Sequence, residues 1–170
     1  MRDKFSLGWL LLAACGAAFV WLTSLSLPDV VASHFEADGY ANGFMSRRAY
    51  IGLMLACAVG LPALLVIVSY FRLGSPKARI TLPDRDYWLA PERRAETVSY
   101  LRVQLSRFAV VLMVLLCYMH WLVVRANAAR PPRLSTPWIN AGLVAFVVFV
   151  VIWTRMFLRR FRNRPSGQSG

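Results

Sequence analysis

Four apolar stretches separated by short polar segments dominate the pattern of this chain. Residues 5–27, 49–71, 108–124 and 138–154 carry almost no charge. A helix needs roughly 20 apolar residues to cross a hydrocarbon core of about 30 Å, and each stretch is close to that length. The pattern therefore predicts an all-α integral membrane protein, a four-transmembrane-helix bundle. The long polar segment in the middle is patterned too. Pro91 suits the first turn of a helix, and Glu92 places negative charge near its positive end. From there Ala95, Val98, Leu101 and Leu105 recur at helical spacing opposite Arg93, Arg94, Arg102 and Arg107. This predicts one amphipathic helix that lies at the membrane interface or runs straight into the third span.

Four units follow: a first helical hairpin (1–71) enclosing a loop at 26–48, a loop with the amphipathic helix (72–107), a second hairpin (108–158), and a basic, disordered tail (159–170). The first span has a charged start, Arg2-Asp3-Lys4, like a secretory signal. Its apolar run exceeds the roughly 7–15 residues of a signal core and no small-x-small site directly follows it, so it is read as a retained helix. Within the second span Gly52, Ala56 and Gly60 recur every four residues. That ridge predicts close packing against Ala13, Gly16, Ala17 and Ala18 of the first span. Pro62 follows it and removes a backbone donor, which predicts a kink, read as a static bend in preference to a hinge or cavity.

Composition supports the membrane reading, since 58% of residues are apolar and only 16% charged, against about 25% charged in soluble domains. Charge then sets orientation. Of twenty Lys and Arg residues, fifteen fall in alternate segments: two before the first span, eight in 72–107 and five from Arg155 onward. The positive-inside rule places those segments, with both termini, in the cytoplasm and the loops 26–48 and 125–137 outside. This distribution accounts for the high pI without nucleic-acid binding, and the basic segments suit anionic lipid headgroups. Cys15, Cys57 and Cys117 lie inside spans as small packing residues, with no paired-cysteine motif.

The inner segment contains Asp86, Tyr87, Trp88, Glu92, Arg93 and Arg94, which form either a docking surface for a cytoplasmic partner or an interfacial anchor, Tyr87 and Trp88 being suited to headgroup depth. The outer loop is more informative. His34, Glu36 and Asp38 alternate, so in an extended chain they point the same way. Gly39 and Asn42-Gly43 are turn formers that predict a short hairpin resting on the helix ends.

Leu27-Pro28, His34-Phe35, Gly39, Asn42-Gly43-Phe44 and Ser46-Arg47 stand in an order that resembles the small membrane domain at the start of the bacterial SdpI toxin-immunity proteins. The resemblance runs through the second span, and 86–94 is similar to a stretch in uncharacterised relatives. It implies a multi-pass protein of the bacterial cytoplasmic membrane with a sensing or immunity role, its outer loop meeting an extracellular peptide or toxin.

Topology adds His120 and Asn127, which the outward-running third span brings to the same side as the outer loop. The candidate ligand surface is thus His34, Phe35, Glu36, Asp38, Gly39, Asn42 and Gly43, with His120 and Asn127 beneath. Two readings of the histidines stand: His34, Glu36, Asp38 and His120 as zinc ligands, or a loop cap and an interfacial helix residue. No nucleophile elbow, phosphate loop or dinucleotide fingerprint occurs, so no catalytic residue and no cofactor are assigned. Intramembrane charge is also missing, although a homo-oligomer could line a pore with uncharged faces. Three function classes follow in order: a sensing or immunity-type protein, a structural or assembly factor for another membrane protein, and a metal-dependent membrane enzyme.

Overall fold

Long charge-free runs form helices because a helix satisfies its backbone groups within one segment. The computed structural model describes residues 2–75 and 78–162. Four of its helical segments are long and apolar enough to cross a membrane. They are α1 (Arg2–Ser24), a rod over Arg47–Gly74, α5 (Pro91–Asn127) and α6 (Thr136–Arg162). The rod consists of α2 (Arg47–Leu55), a π turn (Ala56–Gly60) and α3 (Leu61–Gly74), while α4 (Arg85–Trp88) is a single turn before α5. The all-α expectation needs one amendment. An antiparallel hairpin, β1 (Val30–Phe35) and β2 (Ala41–Ser46), joins α1 to α2.

Packing of the rod departs from the expected ridge. Its buried face is Tyr50, Ala58, Pro62, Val66 and Ser69. Gly52, Ala56 and Gly60 are exposed. A Cβ on Gly52 would meet nothing within 4 Å, and one on Gly60 only the rod's own Leu55 carbonyl at 3.8 Å. Residues two apart lie about 200° apart around a helix, so the same rotation that buries Tyr50 and Ala58 turns the ridge outward. Close approach occurs instead at Gly16 of α1, where a Cβ would sit 3.2 Å from Met113 Sδ and 3.5 Å from Val59 Cγ2. The distortion expected at Pro62 takes the form of the π turn just before it, in which the Leu61 amide donates to the Ala56 carbonyl.

The amphipathic helix is not a separate element. Between Pro91 and Asn127 no glycine or further proline interrupts the chain, and α5 runs unbroken for 37 residues. Val98 and Leu101 are buried as expected, Ala95 is exposed, and the stripe continues through Ser106, Ala109 and Met113. Ile80, Val98, Leu101 and Phe161 form a core at this end, flanked by Leu73 and Trp88. α6 packs along α5 through aromatic rings, with Phe108 against Phe146, Phe149 and Trp153. The Trp153 indole donates to Gln104 Oε1 at 3.2 Å. Because α6 extends to Arg162, the first residues of the expected tail are helical; 163–170 lie outside the described residues. The bundle thus has a hairpin end and an arginine-rich end.

Candidate functional site

The hairpin begins where α1 stops and ends where Ser46 caps α2, its hydroxyl accepting from the Ala49 amide at 3.3 Å. Such a cap contributes about 1 kcal/mol. Apolar residues hold the hairpin from below, with Leu27, Val31 and Tyr50 packed together and flanked by Met45, Met54, Val123 and Val124. Arg47 closes the loop by donating to the Leu27 carbonyl at 3.0 Å and pairing with Asp29 at 3.0 Å.

Asn127, the last residue of α5, holds β1 as a neighbouring strand would. Its Oδ1 accepts from the Ala32 amide at 2.8 Å, and its Nδ2 donates to the Ala32 carbonyl at 3.0 Å and to the Val123 carbonyl at 2.9 Å. The hairpin tip rests on the segment leading into α6. There the Leu134 amide donates to the Gly39 carbonyl at 2.8 Å, the Thr136 hydroxyl donates to the Ala37 carbonyl at 3.3 Å, and Arg133 stacks on Tyr40. Gly39 has φ +88°, and a Cβ there would run into the Leu134 carbonyl, so glycine is required on both counts.

The polar triplet is distributed differently from the expectation. β1 ends at Phe35, and Glu36 to Gly39 turn the chain, so His34, Glu36 and Asp38 do not line one extended face. All three are exposed, and Phe35 is half-buried. The His34 ring Nδ1 lies 3.1 Å from the Ser33 hydroxyl, Glu36 Oε1 accepts from Asn42 Nδ2 at 3.3 Å, and Asp38 Oδ1 accepts from the Tyr40 amide at 3.0 Å. Asn42 and Gly43 belong to β2 rather than to the turn. Strand pairing slips on either side of His34, which sits opposite Gly43. A Cβ on Gly43 would lie 2.9 Å from His34 Cβ, so this glycine makes room for the histidine.

His120 is fully buried below the hairpin, between α1 and α2. Its Nε2 lies 2.8 Å from Thr23 Oγ1 and its Nδ1 3.0 Å from the Tyr50 hydroxyl. The Thr23 hydroxyl donates its one hydrogen to the Phe19 carbonyl at 2.6 Å, so its oxygen accepts from Nε2–H. In the Nε2–H tautomer Nδ1 accepts from the Tyr50 hydroxyl. Both contacts are satisfied by that neutral tautomer. The ring also stacks on Tyr50, with centroids 5.6 Å apart, and meets the edge of Phe19. Among the described residues no group of three or more His, Cys, Asp and Glu comes together, and His120 is held apart from His34, Glu36 and Asp38 by its own partners. Thr23 and Tyr50 escaped the sequence reading. Their signal was a hydroxyl at the same end of the first two spans as His120.

At the opposite end the expected docking residues divide. Trp88 is turned inward, its indole donating to the Phe161 carbonyl at 3.0 Å and its ring meeting Phe161 edge-on. Arg94 donates to the Ser75 carbonyl at 2.8 Å, and Arg93 lies over the Tyr87 ring at 4.2 Å. Asp86 and Glu92 are exposed. Much of this segment therefore fastens α4 and α5 to the ends of α3 and α6.

Comparison of the chain with family models, with curated proteins and with solved structures gives no match in any of the three.

Proposed function

We propose that this chain is a multi-pass membrane protein of the sensing or immunity type, of the kind the SdpI resemblance implies. The hairpin faces outward from a bacterial cytoplasmic membrane, and both termini and the arginine-rich end lie in the cytoplasm. One observation carries the reading. The hairpin is fixed from below by Asn127, Arg47 and the 133–136 segment, while His34, Glu36, Asp38, Asn42 and Phe44 remain exposed on it. A rigid base presenting polar and aromatic side chains is the arrangement a recognition loop requires. The ligand class is an extracellular peptide.

Cells lacking the protein, complemented with wild type or with His34→Ala, Asn42→Ala or Phe44→Ala and challenged with membrane-active peptides, test this. Lost protection at unchanged protein level supports the reading; full protection by all three variants moves the function to the cytoplasmic end. Orientation is checked separately by labelling single cysteines at Asp38, Arg130 and Asp86 in a cysteine-free background. Only the first two should react with an impermeant reagent in intact cells.

A second reading, as an assembly factor for another membrane protein, draws on the Gly52, Ala56 and Gly60 ridge, which faces away from the bundle where a foreign helix can approach it. A stoichiometric membrane partner that co-purifies with the protein, and is lost when Ala56→Leu crowds the ridge, would favour it over sensing.

A further inference from the structure

Where α3 ends, its last-turn Arg72 and the following Arg79 flank an open cavity of about 750 Å³. That volume falls within the roughly 300–1,000 Å³ of small-molecule sites. Its lining combines two chemistries. Phe71, Leu73 and Ile80 supply an apolar wall, the two arginines supply positive charge, and no acidic residue is among the described lining residues. The neighbouring arginines are already engaged. Arg102 donates to the Tyr70 carbonyl at 2.7 Å and stacks on the Tyr70 ring, and Arg94 donates to the Ser75 carbonyl, so both clamp the carbonyl end of α3. Among the described residues, by contrast, the guanidinium groups of Arg72 and Arg79 make no hydrogen bond, ion pair or ring contact.

We propose that this cavity binds the phosphodiester headgroup of an anionic phospholipid, with Arg72 and Arg79 on the phosphate and an acyl chain along Phe71 and Leu73. The inference rests on the membrane-spanning reading, which places the end of α3 at headgroup depth. Guanidinium groups pair with phosphate oxygens through two parallel N–H bonds, a geometry that ammonium groups cannot copy. Two positive charges against one phosphate favour a headgroup that carries net negative charge, and the cation of a choline headgroup would be repelled. Inorganic phosphate would satisfy the arginines but leave the apolar wall wet, and Phe71 is 73% exposed beside the cavity. A diacyl lipid covers both.

The test uses the full chain reconstituted into vesicles of equal parts phosphatidylcholine and phosphatidylglycerol, extracted in mild detergent, with the retained lipid identified by mass spectrometry. Wild type should retain phosphatidylglycerol over phosphatidylcholine by about tenfold, and Arg72→Gln with Arg79→Gln should bring that preference to within about twofold of none. A control pair, Arg159→Gln with Arg162→Gln, removes the same charge from exposed positions on α6 and should keep the preference. Equal loss in both pairs would mean diffuse attraction of the whole basic end and would overturn the site. So would displacement of the lipid by excess inorganic phosphate, which would mark a free-anion site, or the absence of any preference in wild type. A protein that fails to float with the vesicles at all would instead remove the membrane reading on which the proposal stands.

Discussion

The two ends of the bundle are held by different chemistry. At the hairpin end most fasteners are neutral: the Asn127 amide on the Ala32 backbone, the Thr136 hydroxyl on Ala37, and the His120 ring between Thr23 and Tyr50, with Arg47 on the Leu27 carbonyl and Asp29 as the charged exception. At the other end they are arginines and aromatic rings: Arg102 on Tyr70, Arg94 on Ser75, Trp88 on Phe161, and Arg160 paired with Glu96 at 2.9 Å. Neutral amide, hydroxyl and imidazole groups carry little desolvation cost when enclosed with their partners, and they specify direction closely. Arginine lets a helix end sit among charges, neutralises the partial negative charge of terminal carbonyls, and still leaves its edge open to water or lipid phosphate. The hairpin end is therefore held mainly by directed neutral bonds, and the opposite end by arginines and rings, which under the proposed reading suits it to a charged interface.

The sharpest test of the contrast is His120→Ala. It leaves two hydroxyls without their partner and opens a cavity under Tyr50, which should lower stability by about 3 kcal/mol. Tyr50→Phe, which removes a single bond, should cost about 1 kcal/mol. Thermal unfolding in detergent would measure both, and equal small losses would show that the buried ring is not a fastener.

Asn127→Ala comes next, at about 2 kcal/mol, because it strips two backbone groups of Ala32 of their partner. Hydrogen exchange should then rise across β1 while the arginine-rich end keeps its protection. Uniform exchange along the chain would erase the distinction between the ends.

On the other side, Arg102→Met should cost about 1–2 kcal/mol through the lost Tyr70 carbonyl bond and ring contact. Arg102→Lys should recover only part of it, since a point charge does not reproduce a planar stack and a directed bond together. The smallest effect belongs to the exposed Arg160–Glu96 pair, where Glu96→Gln should cost about 0.5 kcal/mol or less and the cost should shrink further with added salt. The same salt should leave the Asn127 penalty unchanged; a matching salt response at both ends would contradict the assignment of neutral and charged fasteners.

Helices, their approximate limits and the hairpin between the first two spans were legible because they rest on local pattern. Length and the absence of charge mark the spans, and Pro91 followed by an uninterrupted run marks α5. Gly39 was legible as a turn residue for the same reason, since its positive φ is a property of the residue itself. Asn42-Gly43 misled because a turn dipeptide scores as a turn wherever it occurs. Only the presence of His34 opposite shows that Gly43 is needed inside a strand, to leave room for a ring.

What the sequence determined by itself, then, was the number of membrane-length helices, the hairpin between the first two, and the concentration of arginine at one end, since each is written in the spacing of apolar and charged residues. Tertiary structure alone decided which face of the second span is inside. The small-residue ridge at Gly52, Ala56 and Gly60 satisfies the packing rule as well as Tyr50, Ala58 and Pro62 do. In a chain apolar all round, hydrophobicity cannot choose between two faces of one helix. The choice falls to a few directed contacts made by residues far apart in sequence, His120 with Thr23 and Tyr50, and Asn127 with Ala32. Hydrogen bonds of that kind fix rotation because they have direction and the apolar contacts around them do not.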